Sequence, residues 1–350
     1  MKAAPKLTAT AARLRKISAQ RLLQDCAAKK SVTRPRDGIA PRKAGTIDLP
    51  ARASVEQGMR RILTGCLAHA QANVQGFLDS DEPEYLHQLR VGMRRFTSCL
   101  KLFRSVVALP AHLQASLEEV GTLLGAARDA DVLLRVTLPR IADAGRHRAF
   151  LHALFDHAEA DAQHKHAAAR AAVQSTRYAP LMPDLFAWVD GKRWPNDMSP
   201  AGRTRLRKPL RRFARRAVNA AHAVVAKRAR KVQKLGGCDS AALHRLRIGC
   251  KQARYAVEFF RAIARPHKAA RYIHKLSAVQ DALGVLNDVH VARTILSAYT
   301  TIRPDLAPQA GVVIAYLDGI AADCLHRRRT PWRTLCNPNR AKALMRQRSN

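Results

Sequence analysis

Leu86-His87-Gln88-Leu89-Arg90-Val91-Gly92-Met93-Arg94 recurs as Leu243-His244-Arg245-Leu246-Arg247-Ile248-Gly249-Cys250-Lys251. Read as helices, both stretches space their apolar residues three and four apart, so each offers one continuous seam to a core. The first seam runs Leu86, Leu89, Met93, Phe96, Leu100, Phe103, and the second Leu243, Leu246, Cys250, Ala253, Val257, Phe260. A shift of one residue uncovers a neighbouring row: His87, Arg90, Arg94, Thr97, Lys101, Arg104 in the first copy. Its counterpart is His244, Arg247, Lys251, Arg254, Glu258, Arg261. The cations lie beside the seam rather than opposite it, which puts them in a groove between helices, where a lower dielectric strengthens each contact. From His87 to Arg104 the row extends about 25 Å at the helical rise of 1.5 Å per residue. A compact ligand needs a cluster, whereas a row this long suits an extended chain of negative charges.

The recurrence continues downstream. Leu124-Gly125 with Asp129 and Val132 reappears as Leu283-Gly284 with Asp288 and Val291. The same landmarks in the same order mark an internal duplication. Ala, Leu, Arg and Glu dominate from about Ala51 onward, which predicts an all-α chain. The predicted organisation is a basic, flexible tail over 1–50, in which Arg13 to Leu23 has the makings of a short helix, and helical halves over 51–195 and 196–350. Tyr178 to Pro200, with Pro180, Pro183, Pro195 and Pro200, reads as the connection between the halves.

Charge narrows the function. Lys and Arg number 62 against 26 Asp and Glu, for a formal net charge of +36. Self-repulsion of that size destabilises a compact state, and an abundant polyanionic partner is the simplest reason to carry it. The tail over 1–50 holds twelve Lys/Arg against three acids, and Gly202 to Lys234 holds thirteen with no acid. Within that second stretch Leu206, Leu210, Phe213 and Ala217 form a seam. Arg205, Arg212 and Arg216 flank it on one side and Lys208, Arg211 and Arg215 on the other, and the sequence does not choose between them. The seven cysteines are scattered, without a C-x-x-C pair, as free thiols in a reducing compartment are. The N-terminus lacks a secretory apolar run and no stretch has membrane-spanning length, so a cytoplasmic location is expected.

The duplicated segments resemble the CHAD family, the conserved histidine α-helical domain. The resemblance rests on Leu86-His87-Gln88-Leu89-Arg90-Val91 with Met93-Arg94-Arg95-Phe96, and on Leu243-His244-Arg245-Leu246-Arg247-Ile248 with Lys251 and Arg254 to Phe260. It runs on through Arg128-Asp129-Ala130-Asp131-Val132 and Val279-Gln280-Asp281-Ala282-Leu283-Gly284, and covers roughly residues 52–325. It implies two four-helix bundles related by a pseudo-twofold axis with a basic central cavity, non-catalytic binding of inorganic polyphosphate, and association with polyphosphate granules. The family's basic positions fall on His87, Arg90, Arg94, His244, Arg247, Lys251 and Arg254; Lys101 and Arg104 extend the first row. Arg128, Lys208, Arg212 and Arg216 are secondary candidates. Thr97 departs from the pattern, standing where the second copy has Arg254.

Two alternatives stay open. Nonspecific nucleic-acid binding fits the charge, and DNA contact through the basic tails fits it well, but aromatics are only 5% of the chain and base stacking needs them. A metal-dependent phosphohydrolase would have to use Asp129, Asp131 and Asp288. Asp129 and Asp131 do not share a helix face, and Asp129 and Asp288 read better as groups near a helix start that cap it or orient an arginine. His152, His157, His164 and His166 read as a solvated, alanine-rich face. No Gly-rich phosphate loop, Gly-x-Ser-x-Gly elbow or H-E-x-x-H motif is present, so no catalytic residue, metal or cofactor is expected.

Overall fold

A computed structural model of the chain describes residues 40–145, 148–176, 179–191, 200–237, 239–327 and 335–337. Among them every element is helical, apart from one antiparallel bridge between Ser54 and Pro209. The helices are α1 (Val55–Gln71), α2 (Val74–Asp79), α3 (Pro83–Phe103), α4 (Ala111–Val132), α5 (Leu138–Gly145) and α6 (His152–Gln174). They continue with α7 (Leu181–Asp190), α8 (Pro200–Arg207), α9 (Leu210–Lys234), α10 (Ser240–Phe259), α11 (Pro266–Ile302) and α12 (Ala307–Arg327).

The His-led stretches form α3 and α10, and local chemistry sets where each begins. Pro83 stands in the first turn of α3, where its missing N–H costs nothing, and the Glu82 side chain accepts from the Glu84 N–H. At α10 the Asp239 carboxylate accepts from the Ala242 N–H at 2.5 Å. Each helix opens four residues before its histidine, at Pro83 for His87 and at Ser240 for His244. The seams are buried as the spacing requires: all six residues of the second seam, five in α10 and Phe260 at its C-cap, and in α3 all but the half-buried Leu100.

The chain divides into two compact units, and neither is a sequence half. The larger combines Ile39–Leu124 with Arg170–Asp281 and residues 335–337, and the smaller combines Gly125–Ala169 with Ala282–Arg329. Repetition records how the sequence is built, whereas compactness follows from which helices bury one another's seams, so the two divisions need not agree. Two of the cuts fall at the repeated Leu-Gly landmark, between Leu124 and Gly125 and just before Leu283.

In the larger unit α1 packs most extensively on α3 and α9 on α10, and α3 also meets α10. A capping box at Ser54 and Gln57 starts α1. The α1–α3 crossing is close because Gly92 has no Cβ; one there would stand 2.7 Å from the Ala70 nitrogen and 2.8 Å from its Cα. In the smaller unit the core gathers Leu138, Ile141, Leu154, Leu296 and Val313 around Tyr299, whose hydroxyl donates to Asp161 at 2.6 Å.

Several sequence expectations are corrected. Residues 40–50 are no loose tail: the Arg42 backbone exchanges two hydrogen bonds of 2.9 Å with the Asn73 amide, and Leu49 is buried. The stretch read as a connection contains α7, which packs on α1, and Arg60 holds its C-terminal end by donating to the carbonyls of Val189 and Gly191. Asp129 and Asp288 stand inside α4 and α11 rather than near helix starts, because Gly125 and Gly284 do not interrupt helices otherwise rich in Ala and Leu. The seam over 206–217 also shifts. Pro209 separates α8 from α9, and α9 then buries Leu210, Ala214 and Val218, leaving Phe213 and Ala217 half-exposed. The histidine stretch is mixed: His152 and His164 are exposed, but His166 pairs with Asp131 at 3.0 Å and His157 meets the Tyr299 ring edge-on. Arg13 to Leu23, read within the flexible tail as a segment with the makings of a short helix, lies outside the described residues.

Candidate functional site

The two row-bearing helices meet where α3 crosses α10. Arg94 Nε donates to the Tyr255 hydroxyl at 3.0 Å. One step along α3, Arg95 Nη1 donates to Glu258 Oε2 at 2.9 Å, and Arg254 of α10 donates to the other oxygen of that carboxylate at 2.7 Å. Arg254 also stacks over the Tyr255 ring, 4.9 Å from its centroid, and its Nε donates to Gln280 at 3.2 Å. One glutamate thus holds two guanidinium groups, one from each row-bearing helix, and the local charge stays positive. The Arg95 and Glu258 side chains are only 10% and 19% exposed, so the pair is largely desolvated and costly to break by removing one partner.

The other row residues surround this crossing along their helices. His87, Arg90, Arg94, Arg247, Lys251 and Arg254 are half-buried, while His244, Lys101 and Arg104 are exposed. The rows are thus tied across the crossing through Tyr255, which accepts from Arg94, and through Glu258, which accepts from Arg95, and they are open to solvent at the C-terminal end of α3 and at His244. Arg254 differs from its expected part as a simple anion ligand, because Glu258 and Gln280 already occupy much of its donor capacity. Arg95, Tyr255 and Glu258 were not chosen from the sequence as site residues. Glu258 could have been, as the one acid in either row.

Beside the C-terminal end of α3 lies a cavity of about 320 Å³ in the same unit. Arg205, Lys208, Arg212 and Arg216 line it, which selects the Arg205/Arg212/Arg216 flank of the basic segment. Lys208 joins that flank against the helical reading because the chain leaves helical geometry there; its carbonyl accepts from the Val55 N–H at 2.9 Å. Arg205 Nη1 donates to the Ser105 carbonyl at 2.9 Å, fixing one wall. Arg128, the remaining secondary candidate, stands in the smaller unit, 4.0 Å from the buried carboxylate of Asp131.

Two buried histidines anchor chain segments to the larger unit. His69 Nε2 is shared between Gln88 Oε1 at 3.0 Å and the Arg42 carbonyl at 3.1 Å; both are acceptors, so this nitrogen carries the proton. Burial, with Arg95 nearby, holds His69 below the ordinary histidine value against the opposing pull of the Gln88 and Arg42 hydrogen bonds. His222 Nε2 donates to the Asn337 carbonyl and Nδ1 accepts from the Tyr272 hydroxyl, both at 2.7 Å. Cys66 and Cys250 are unbridged, and burial pushes their thiols up to about 11 and about 12, respectively. Among the described residues no group of three or more His, Cys, Asp or Glu is arranged to hold a metal ion.

The CHAD domain model matches residues 61–297, which include both His-led helices and their crossing. The chain belongs to the CHAD domain family. A solved CHAD domain from the plant Ricinus communis is 36% identical, covering 83% of this chain and 98% of its own length, with a TM-score of 0.70. A search of curated protein sequences returned no match. No helix among the described residues is long and apolar enough to cross a membrane.

Proposed function

We propose that this CHAD-domain protein binds inorganic polyphosphate without transforming it, along a cationic face that α3 and α10 build together. The observation that carries the reading is the meeting of the two row-bearing helices, with Arg94 on Tyr255 and Arg95 with Arg254 on the shared Glu258. A regular polymer of phosphates needs repeated donors along a line, and two adjoining rows supply them. Arg offers fixed forks of donors, Lys a mobile point charge, and the alternation tolerates sliding. Affinity then comes from released counterions and reads no sequence.

On this reading the halves 51–195 and 196–350 descend from one duplicated unit, as two four-helix bundles about a basic central cavity. The protein acts in the cytoplasm at polyphosphate granules, and its basic tails add nonspecific contacts, with DNA among their partners. His87 and His244 donate to phosphate, and their pKa values rise when polymer binds.

Titration with labelled long-chain polyphosphate, followed by competition with short-chain polyphosphate, DNA and RNA at fixed salt, tests the reading. Affinity should rise with polymer length, and polyphosphate should displace both nucleic acids at equal phosphate concentration. Displacement of polyphosphate by DNA would make this a nucleic-acid-binding protein. Release of orthophosphate with magnesium would make it a hydrolase.

A further inference from the structure

We propose that the cavity beside the C-terminal end of α3 binds a single-chain amphiphile with an anionic head, a fatty-acid carboxylate or an alkyl phosphate. The rim is cationic, with Arg205, Lys208, Arg212 and Arg216, and among the described residues no acidic side chain lines the space. The floor is apolar: Val55, Leu102, Val106, Phe213 and Ala217. Beneath it, Phe213 stacks on Phe103 with ring centroids 4.6 Å apart and meets Phe260 edge-on at 6.3 Å, so the floor is backed by packed aromatic rings.

This pairing is not what a phosphate polymer needs. Polyphosphate has no apolar part, and laying it over Leu102 and Phe213 gains no hydrophobic energy. An alkyl chain does gain it, while its head meets the arginines. The neutral polar equipment for a nucleobase is sparse: among the described lining residues only Ser105 has such a side chain, and Arg205 already holds its carbonyl. The volume, about 320 Å³, falls at the lower end of the roughly 300–1,000 Å³ of small-molecule sites. The floor stays open because α9 presents Ala217 and Ala220 there rather than larger side chains. The assignment is independent of the polymer reading, since it rests on the floor and not on the rows.

Calorimetric titration of the full chain with butyl, octyl and dodecyl phosphate and with dodecanoate, each kept monomeric, tests it. Affinity should rise with chain length, by up to roughly fourfold per buried methylene, until the cavity is filled. Ala217→Trp should lower dodecyl phosphate affinity by about tenfold or more and leave polyphosphate binding unchanged. Ala220→Trp, at an exposed position, repeats the test with little demand on folding, and the melting temperature of each variant reports whether it folds. Affinity indifferent to alkyl length, or dodecyl phosphate binding untouched in folded Trp variants, overturns the proposal. So does binding to anionic vesicles without binding to the monomers.

Discussion

The two copies of the His-led motif occupy corresponding helices but are built to different tolerances. In the first, α3 is pressed onto α1 so closely at Gly92 that a Cβ would strike the Ala70 backbone at 2.7 Å. In the second, the corresponding Gly249 faces the Arg228 side chain at 3.2 Å and Val225 at 3.7 Å. Their rows differ in sign as well. Where α3 carries Lys101, exposed, α10 carries Glu258, half-buried and shared by Arg95 and Arg254. The first copy supplies the fixed crossing and the open cations, and the second supplies the acid that ties the copies together. The two copies thus present two cationic helices, and the acid that one of them carries in place of a lysine is what joins them.

The largest expected effect separates the two glycines. Gly92→Ala should cost roughly 2–3 kcal/mol, because backbone at Ala70 cannot yield as a side-chain end can. Gly249→Ala should be neutral or stabilising by up to about 1 kcal/mol, since the Arg228 side chain moves and alanine favours the helix. Urea denaturation of both variants measures the difference; equal losses would remove the asymmetry.

Glu258→Gln comes next, and its two readouts should move in opposite directions. Stability should fall by about 1–3 kcal/mol as two guanidinium groups lose their carboxylate. Polyphosphate affinity should rise, because one negative charge is removed and Arg254 is released toward the ligand. Joint loss of stability and affinity would mean that Glu258 positions the donors rather than neutralising them.

The smallest effect concerns the two histidine anchors. His222 has both ring nitrogens hydrogen-bonded, whereas His69 Nδ1 is buried without a hydrogen-bond partner among the described residues. With the His69 value held low in the folded chain, the unfolded chain takes up its proton first as pH falls. The contribution is therefore full above about pH 6.5 and lost as pH drops toward the folded value. Urea midpoints should decline gradually from about pH 7 to about pH 5, and His69→Gln should flatten that slope. An unchanged slope would assign the decline to other groups.

Much of this was legible in the sequence, and the rest failed for identifiable reasons. Period alone located both seams, since Leu86 to Phe103 lies within one uninterrupted helix and Leu243 to Phe260 within another and its C-cap. The period failed at Leu206 to Ala217, where Pro209 breaks the helix and resets its register, and that reset brought Lys208 onto the same wall as Arg212. Asp129 and Asp288 read as groups near a helix start, yet they stand inside α4 and α11, because the single glycine before each costs too little to end a strongly helical run. Partners distant in sequence carry no local signal. Arg95 and Glu258 are 163 positions apart, and only packing of α3 on α10 makes them a pair.

The most direct test of the central claim is the salt dependence of long-chain polyphosphate binding in an Arg90→Ala/Arg247→Ala variant, beside an Arg13→Ala/Arg15→Ala variant of the tail. If the duplicated rows are the binding face, the row variant should bind more weakly than the tail variant. Its slope of log affinity against log salt should also be shallower by about two. Equal weakening and equal slopes in both variants would show that charge anywhere on the chain serves equally, and the account of the rows would be wrong.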